Sequence, residues 1–185
     1  MPATVIINEW NTTGVKTDKT SGTVRFKNAD NATVDLVDPL VVPTANREYS
    51  FEKWLRAEVT GGTYTRISTL RAYSDGSSGW QATVKMWYWT SSEFSNPSIP
   101  VETNDPPISA GSPAETGVNF FLRTSGDPII LDALNPGPAS GGWEGGSPGG
   151  EGDIGDFLVM VLECEIGATQ GLQSAEVLTV SWSEI

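Results

Sequence analysis

Hydrophobic and polar residues alternate along much of the chain with a period of two. Near the carboxyl end, Leu178, Val180 and Trp182 fall on one side of such a run, and Thr179 and Ser181 fall on the other. This alternation predicts a half-buried β-strand, because successive side chains of a strand point to opposite faces. The helical spacing of apolar residues is not sustained over any twelve-residue stretch, so the pattern predicts no long α-helix.

Comparable runs, bounded by glycine, proline, asparagine, aspartate and serine, predict strands throughout the chain. We expect them at residues 4–10, 23–27, 33–37, 50–60, 64–73, 80–89, 118–123, 128–131, 157–166 and 176–182. Many short strands without crossover helices predict an all-β fold, an antiparallel β-sandwich that resembles a jelly roll. The length of 185 residues suits one domain spanning residues 1–185.

Two segments lack any regular pattern and predict extended loops. Residues 91–113 are rich in proline, and residues 133–155 are rich in glycine around a single aromatic residue, Trp143. Long loops of this kind inside a compact domain are usually functional or ordered against another molecule. We therefore expect these two loops to contact a partner.

The strand predicted at 80–89 carries large apolar side chains on both faces. Met86 and Tyr88 share one face, whereas Trp87 and Trp89 share the other and need a cover from a loop or a second chain. Trp87, Trp89 and Trp143 are our candidates for contact with a partner or a glycan, because tryptophan is enriched in interfaces and its flat ring can stack on a sugar. The alternative is that most of the seven tryptophans are core or inter-subunit packing.

Composition excludes several kinds of chemistry. The chain has no histidine and one cysteine, Cys164, which excludes histidine bases, histidine-ligated metals, an internal disulfide and multi-cysteine zinc sites. The net charge of −12 argues against binding nucleic acid or an anionic membrane. We also expect no secretory signal and no membrane span. These exclusions leave carboxylate chemistry open, and we expect a non-enzymatic protein without catalytic residues, cofactor or metal.

Carboxylates are the remaining plentiful reactive groups. Glu144, Glu151, Asp153 and Asp156 lie in and after the glycine-rich segment, where oxygen ligands on a flexible loop could hold calcium. Their spacing matches no calcium-binding motif that we recognise. We therefore interpret them as solubilising charge.

Glu163 and Glu165 lie two residues apart and so share one strand face, which is the spacing for a pair of carboxylates such as glycosidases use. The interpretation we favour is that both belong to the solvent side of the strand. On that interpretation Leu162, Cys164 and Ile166 form its core side, and Cys164 is a buried, inert thiol.

Two parts of the chain resemble small structural proteins of tailed bacteriophages. The resemblance rests on the sequence from Trp54-Leu55-Arg56 to Ile67-Ser68-Thr69-Leu70-Arg71, and on the closing run Leu178-Thr179-Val180-Ser181-Trp182. It covers the strands between residues 50 and 90 and between residues 156 and 185. Thr69 stands where these proteins have asparagine, and Ala72 departs from an aromatic residue usual nearby.

This resemblance implies a virion protein of the head decoration or minor capsid type, made in the host cytoplasm. Its implied role is to stabilise the phage head through loop contacts with the major capsid protein and with copies of itself, as a homo-oligomer such as a trimer. The alternative that we keep open is a carbohydrate-binding or adhesin domain of a tail fibre or spike.

Overall fold

The computed structural model describes residues 2–12, 14–99, 119–137, 142–144, 151–171 and 173–185. Its strands are β1 (Thr4–Asn11), β2 (Val15–Asp18), β3 (Arg47–Tyr49), β4 (Lys53–Gly61), β5 (Arg66–Tyr73), β6 (Val84–Ser91), β7 (Ile129–Ile130), β8 (Trp143–Glu144), β9 (Gly152–Glu165) and β10 (Thr179–Glu184). Every strand pairing in the described residues is antiparallel, so the predicted all-β sandwich-like fold is confirmed. No helix in these ranges is long and apolar enough to cross a membrane.

The larger sheet is built around β9, its longest strand. Strands β2, β1, β4 and β9 follow one another across it, and β6 pairs with residues 157–164 of β9. Some of these β9 residues also pair with β4, and others also pair with β3. Strands β3 and β4 therefore share one edge of β9, one after the other, and β6 occupies the opposite edge.

The smaller sheet is built around β5. Strand β10 pairs along one edge of β5. The two-residue strands β7 and β8 pair with opposite ends of β5, at Arg71–Ala72 and Arg66–Ile67. Strands β4 and β5, which follow each other in the chain, therefore belong to different sheets and do not form a hairpin.

The main hydrophobic core is formed by side chains from both sheets. Leu55 and Met86 of the larger sheet and Ile67 and Leu70 of the smaller sheet are at most 2% exposed and belong to one cluster. Leu178, just before β10, and Val180 and Trp182 within it pack against this cluster, as the alternation predicts. Period-two patterning thus directs one face of each sheet into a shared interior.

The opposite face of the larger sheet carries a second, aromatic cluster. It contains Tyr49, Trp54, Trp87, Trp89, Phe157, Val159 and Val161, with Trp10 and Phe94 packed against it. Strand β9 lies between two other strands, and each of its faces contributes to one of the two clusters. The run Phe157–Leu162 is therefore apolar at every position, because both faces of the strand are buried.

Three predicted strands are wrong. Residues 23–27 and 33–37 form no strand, although both are rich in β-branched or aromatic residues. Within the predicted strand at 118–123, residue 118 lies outside the described ranges and Phe120–Leu122 form a 3-10 turn. The side chain of Asn119 accepts a hydrogen bond from the Phe121 amide and so caps this turn, a local contact that competes with a strand.

Candidate functional site

Trp87 and Trp89 lie on the outer face of the larger sheet, opposite Met86 and Tyr88, as their alternation predicts. Trp89 is 1% exposed and Trp87 is 9% exposed. Phe94, which follows β6, packs into the same cluster. The cover that these aromatic rings require therefore comes at least partly from the protein's own chain.

Trp143 lies in a different part of the molecule. It pairs with Ile67 through β8, is 9% exposed and belongs to the core between the two sheets. The structure therefore brings Trp87 and Trp89 together but separates them from Trp143. Contact of these three residues with a partner or a glycan stays a prediction.

A cluster of charged groups lies beside Trp87. Glu163 is completely buried, and its Oε2 accepts a 2.7 Å hydrogen bond from Trp87 Nε1. Arg47 Nη1 lies 3.5 Å from Glu163 Oε2, and Lys85 Nζ lies 3.8 Å from Oε1. Lys85 also donates a 2.5 Å hydrogen bond to Glu165. The cluster connects β3, β9 and β6 across the end of the larger sheet.

The interpretation of Glu163 as a solvent-side residue is wrong. Glu163 and Glu165 do share a face, but Glu163 is 0% exposed, whereas the Glu165 side chain is 31% exposed. Of the predicted core side, Leu162 packs against the main core and Cys164 is buried, whereas Ile166 is 57% exposed. Burial raises the pKa of the Cys164 thiol, as expected for an inert cysteine.

The pKa values of the two carboxyl groups in this cluster, Glu163 and Glu165, are shifted in opposite directions. Burial raises the pKa of Glu163 and outweighs the hydrogen bond from Trp87 and the charge of Arg47, which lower it. The hydrogen bond from Lys85 lowers the pKa of Glu165. Of the two carboxyls, Glu163 therefore holds a proton more tightly than Glu165.

An open cavity of about 350 Å³ lies next to this cluster. Its walls include Ser78, Trp80, Gln81, Lys85, Trp87 and Asn119. Such a volume is within the range of small-molecule sites. Sequence reasoning named Trp87 but missed the cavity, because Asn119 reaches it from a distant part of the chain.

The acidic residues around the glycine-rich loop do not converge. Asp153 forms a 2.7 Å ion pair with Lys16, and Asp156 is buried and accepts a hydrogen bond from the Leu134 amide. Glu144 pairs with Arg66 across β8 and β5. Within the described residues, no three carboxylate, histidine or cysteine side chains are grouped so that they could hold a metal ion.

A short irregular segment exposes apolar side chains that sequence reasoning assigned in part to a strand. We call residues 34–41 the apolar segment. Val34 is 51% exposed, Leu36 73%, Val37 61% and Val41 58%. Pro39 within this run is a signal against a central strand.

Buried lysines hold the backbone that leads into the apolar segment. Lys53, 1% exposed, forms a 2.9 Å ion pair with Glu9 and donates a 2.9 Å hydrogen bond to the Asn31 carbonyl. Lys27, 2% exposed, forms a 2.8 Å ion pair with Asp35. The exposed apolar side chains are therefore presented from a backbone that is tied to the sheets.

Comparisons with known proteins identify no relative: no protein-family model, no curated protein and no solved structure matches this chain.

Proposed function

We propose that this protein is a non-enzymatic structural subunit of a tailed-phage virion. It decorates the head shell, and it contacts the major capsid protein and further copies of itself through the apolar segment. The observation that carries the proposal is the exposure of Leu36 and Val37 on an irregular segment. Neighbouring exposed apolar side chains mark surfaces that bind another protein.

The way in which the apolar segment is held supports this role. Asp35 forms an ion pair with Lys27 and accepts a hydrogen bond from the Val37 amide. The Asn28 amide donates a hydrogen bond to the Asp38 carbonyl. These contacts restrict the backbone before any partner binds. A surface that is already ordered loses less conformational entropy on association, and so retains more of the free energy of apolar burial.

The phage resemblance gains support from backbone geometry at Thr69. This residue has a φ of 60°, in the left-handed region where asparagine is enriched and a β-branched residue is strained. Asparagine is the residue that the similar phage proteins have at this place. The departure of the sequence from the phage pattern therefore falls at a position where the backbone suits the phage residue.

The charge of the chain is also compatible with a subunit that assembles in many copies. A net charge of −12 keeps an unassembled pool soluble despite the apolar segment. On a shell, many modest contacts act together through multivalency. Each contact therefore needs only moderate affinity.

Protein composition of purified particles tests the proposal. We expect quantitative mass spectrometry of virions from the phage that encodes this chain to find it in a fixed ratio to the major capsid protein. A non-structural protein encoded by the same phage serves as the control for contamination. Absence of this chain from particles, or an amount no greater than that of the control, would overturn the proposed role.

A further inference from the structure

We propose that the cavity beside Trp80 and Trp87 binds one neutral sugar unit. The inference does not depend on the proposed structural role, because it rests on a different surface from the apolar segment. The cavity has the size of a small-molecule site and combines two indole rings with hydroxyl and amide groups. Indole rings pack against the apolar faces of a sugar ring, while hydroxyl and amide groups bond its hydroxyls.

Both indole rings are fixed by their own hydrogen bonds. Trp80 Nε1 donates to the Ser174 carbonyl at 2.7 Å, and Trp87 Nε1 donates to Glu163 at the same distance. Trp80 also packs edge-to-face against Phe121, with ring centroids 4.7 Å apart. The rings therefore do not have to be ordered when a ligand enters, which favours binding.

The polar wall of the cavity is also held in place. Gln81 bonds the backbone of Thr169 through both ends of its amide. Asn119 Oδ1 accepts hydrogen bonds from the Met86 and Phe121 amides. Asn119 lines the cavity, and its Nδ2 makes no hydrogen bond to another described residue.

The charges around the cavity favour a neutral ligand over an ionic one. Lys85 is the cation in its wall, and its ammonium group is already paired with Glu165. Glu163 lies behind Trp87 and is buried. An anionic sugar would compete with Glu165 for Lys85 and would meet the negative field of a chain with a net charge of −12.

Saturation-transfer NMR with neutral methyl glycosides of common hexoses tests the inference on the full chain. We expect binding in the millimolar range for at least one glycoside. Ala82 lines the cavity and is exposed, so Ala82→Phe fills the space without removing a contact, and it should weaken binding at least about tenfold. Ala45→Phe, at an exposed alanine that does not line the cavity, is the matched control and should bind normally.

A second variant removes a ring contact instead of filling the space. Trp80→Ala should abolish saturation transfer, whereas Trp182→Ala, in β10, should retain it. Thermal unfolding establishes that each variant is folded. No transfer from any neutral glycoside, undiminished transfer to Ala82→Phe, or stronger binding of sialic acid than of every neutral glycoside would overturn the inference.

Discussion

Thr69 lies in a β-bulge opposite Trp182. On β10, Ser181 pairs with Arg71 and Ser183 pairs with Ser68, so the single residue Trp182 faces both Thr69 and the residue after it. The φ of 60° at Thr69 accommodates this extra residue in β5. A β-branched side chain in this backbone region stores strain of roughly 1–3 kcal/mol.

Thr69→Asn should therefore stabilise the protein by about 1 kcal/mol, because asparagine adopts positive φ more readily than threonine. Urea unfolding followed by tryptophan fluorescence measures the difference. The matched control is Thr90→Asn in β6, a partly buried strand threonine that is not among the residues with positive φ, where asparagine should be destabilising. A destabilising effect at both positions would contradict the strain argument.

The buried ion pair between Lys53 and Glu9 should be required for stability. Lys53→Met leaves the Glu9 carboxylate, which is 0% exposed, without its closest cation, and should cost about 3–5 kcal/mol. Lys16→Met breaks ion pairs whose lysine side chain is 33% exposed, and should cost about 1 kcal/mol or less. Equal losses in urea unfolding of the two variants would show that burial does not govern the energy of these pairs.

The raised pKa of Glu163 gives a pH dependence with a definite sign. A carboxyl that binds its proton more tightly in the folded state stabilises the fold fully below its ordinary pKa of 4.5, and this stability is lost as the pH rises through the folded pKa. Glutamine resembles the neutral form and does not ionise. Glu163→Gln should therefore become more stable relative to the unmodified protein as the pH rises from below 4.5 towards neutrality.

The control for this titration is Glu165→Gln. The pKa of Glu165 is lowered, so its ionised form contributes stability above its ordinary pKa of 4.5 that is lost as the pH falls through the folded pKa. The Glu165→Gln variant should therefore become less stable relative to the unmodified protein over the same rise in pH. Melting temperatures across the range give both trends, and parallel trends in the two variants would contradict the assignment of the proton to Glu163.

The proposed contacts between copies predict self-association of the isolated protein. Sedimentation velocity over a range of concentrations should show a species larger than the 19.8 kDa monomer. Leu36→Asp should shift the distribution towards the monomer, because it places a charge in the most exposed part of the apolar segment. A monomer at every concentration would contradict the proposed contacts between copies of this protein.

Local alternation predicted the faces of several core strands, but not every core element. Trp143 of β8 and Ile154 of β9 are core residues that lie in the segment 133–155, which the sequence predicts to be an irregular loop. Met86 and Trp87 fall on opposite faces of β6 as their spacing requires, because the period of a strand is fixed by its backbone geometry. Alternation does not reveal which face is covered. Glu163 was therefore placed on the correct face of its strand but in the wrong environment, since its neighbours Trp87 and Tyr49 come from other strands.

The residues around the apolar segment show a second limit of sequence reasoning. The run at 33–37 contains β-branched residues that favour a strand, but Asp35 bonds the Val37 amide and pairs with the distant lysine Lys27. Asn31 likewise accepts a hydrogen bond from the Thr33 amide. Side-chain contacts of this kind satisfy backbone groups that a strand would otherwise use, and propensity does not include them.

Binding to head shells tests the central claim most directly. Shells assembled from the major capsid protein of the phage proposed to encode this chain are mixed with the purified protein, and the bound fraction is measured after sedimentation. Val37→Asp changes the apolar segment, and Val177→Asp changes a valine of similar exposure outside it, 55% against 61%. We predict that the unmodified protein and Val177→Asp bind, and that Val37→Asp binds at least about tenfold more weakly. Failure of the unmodified protein to bind, or equal binding by both variants, would contradict the account.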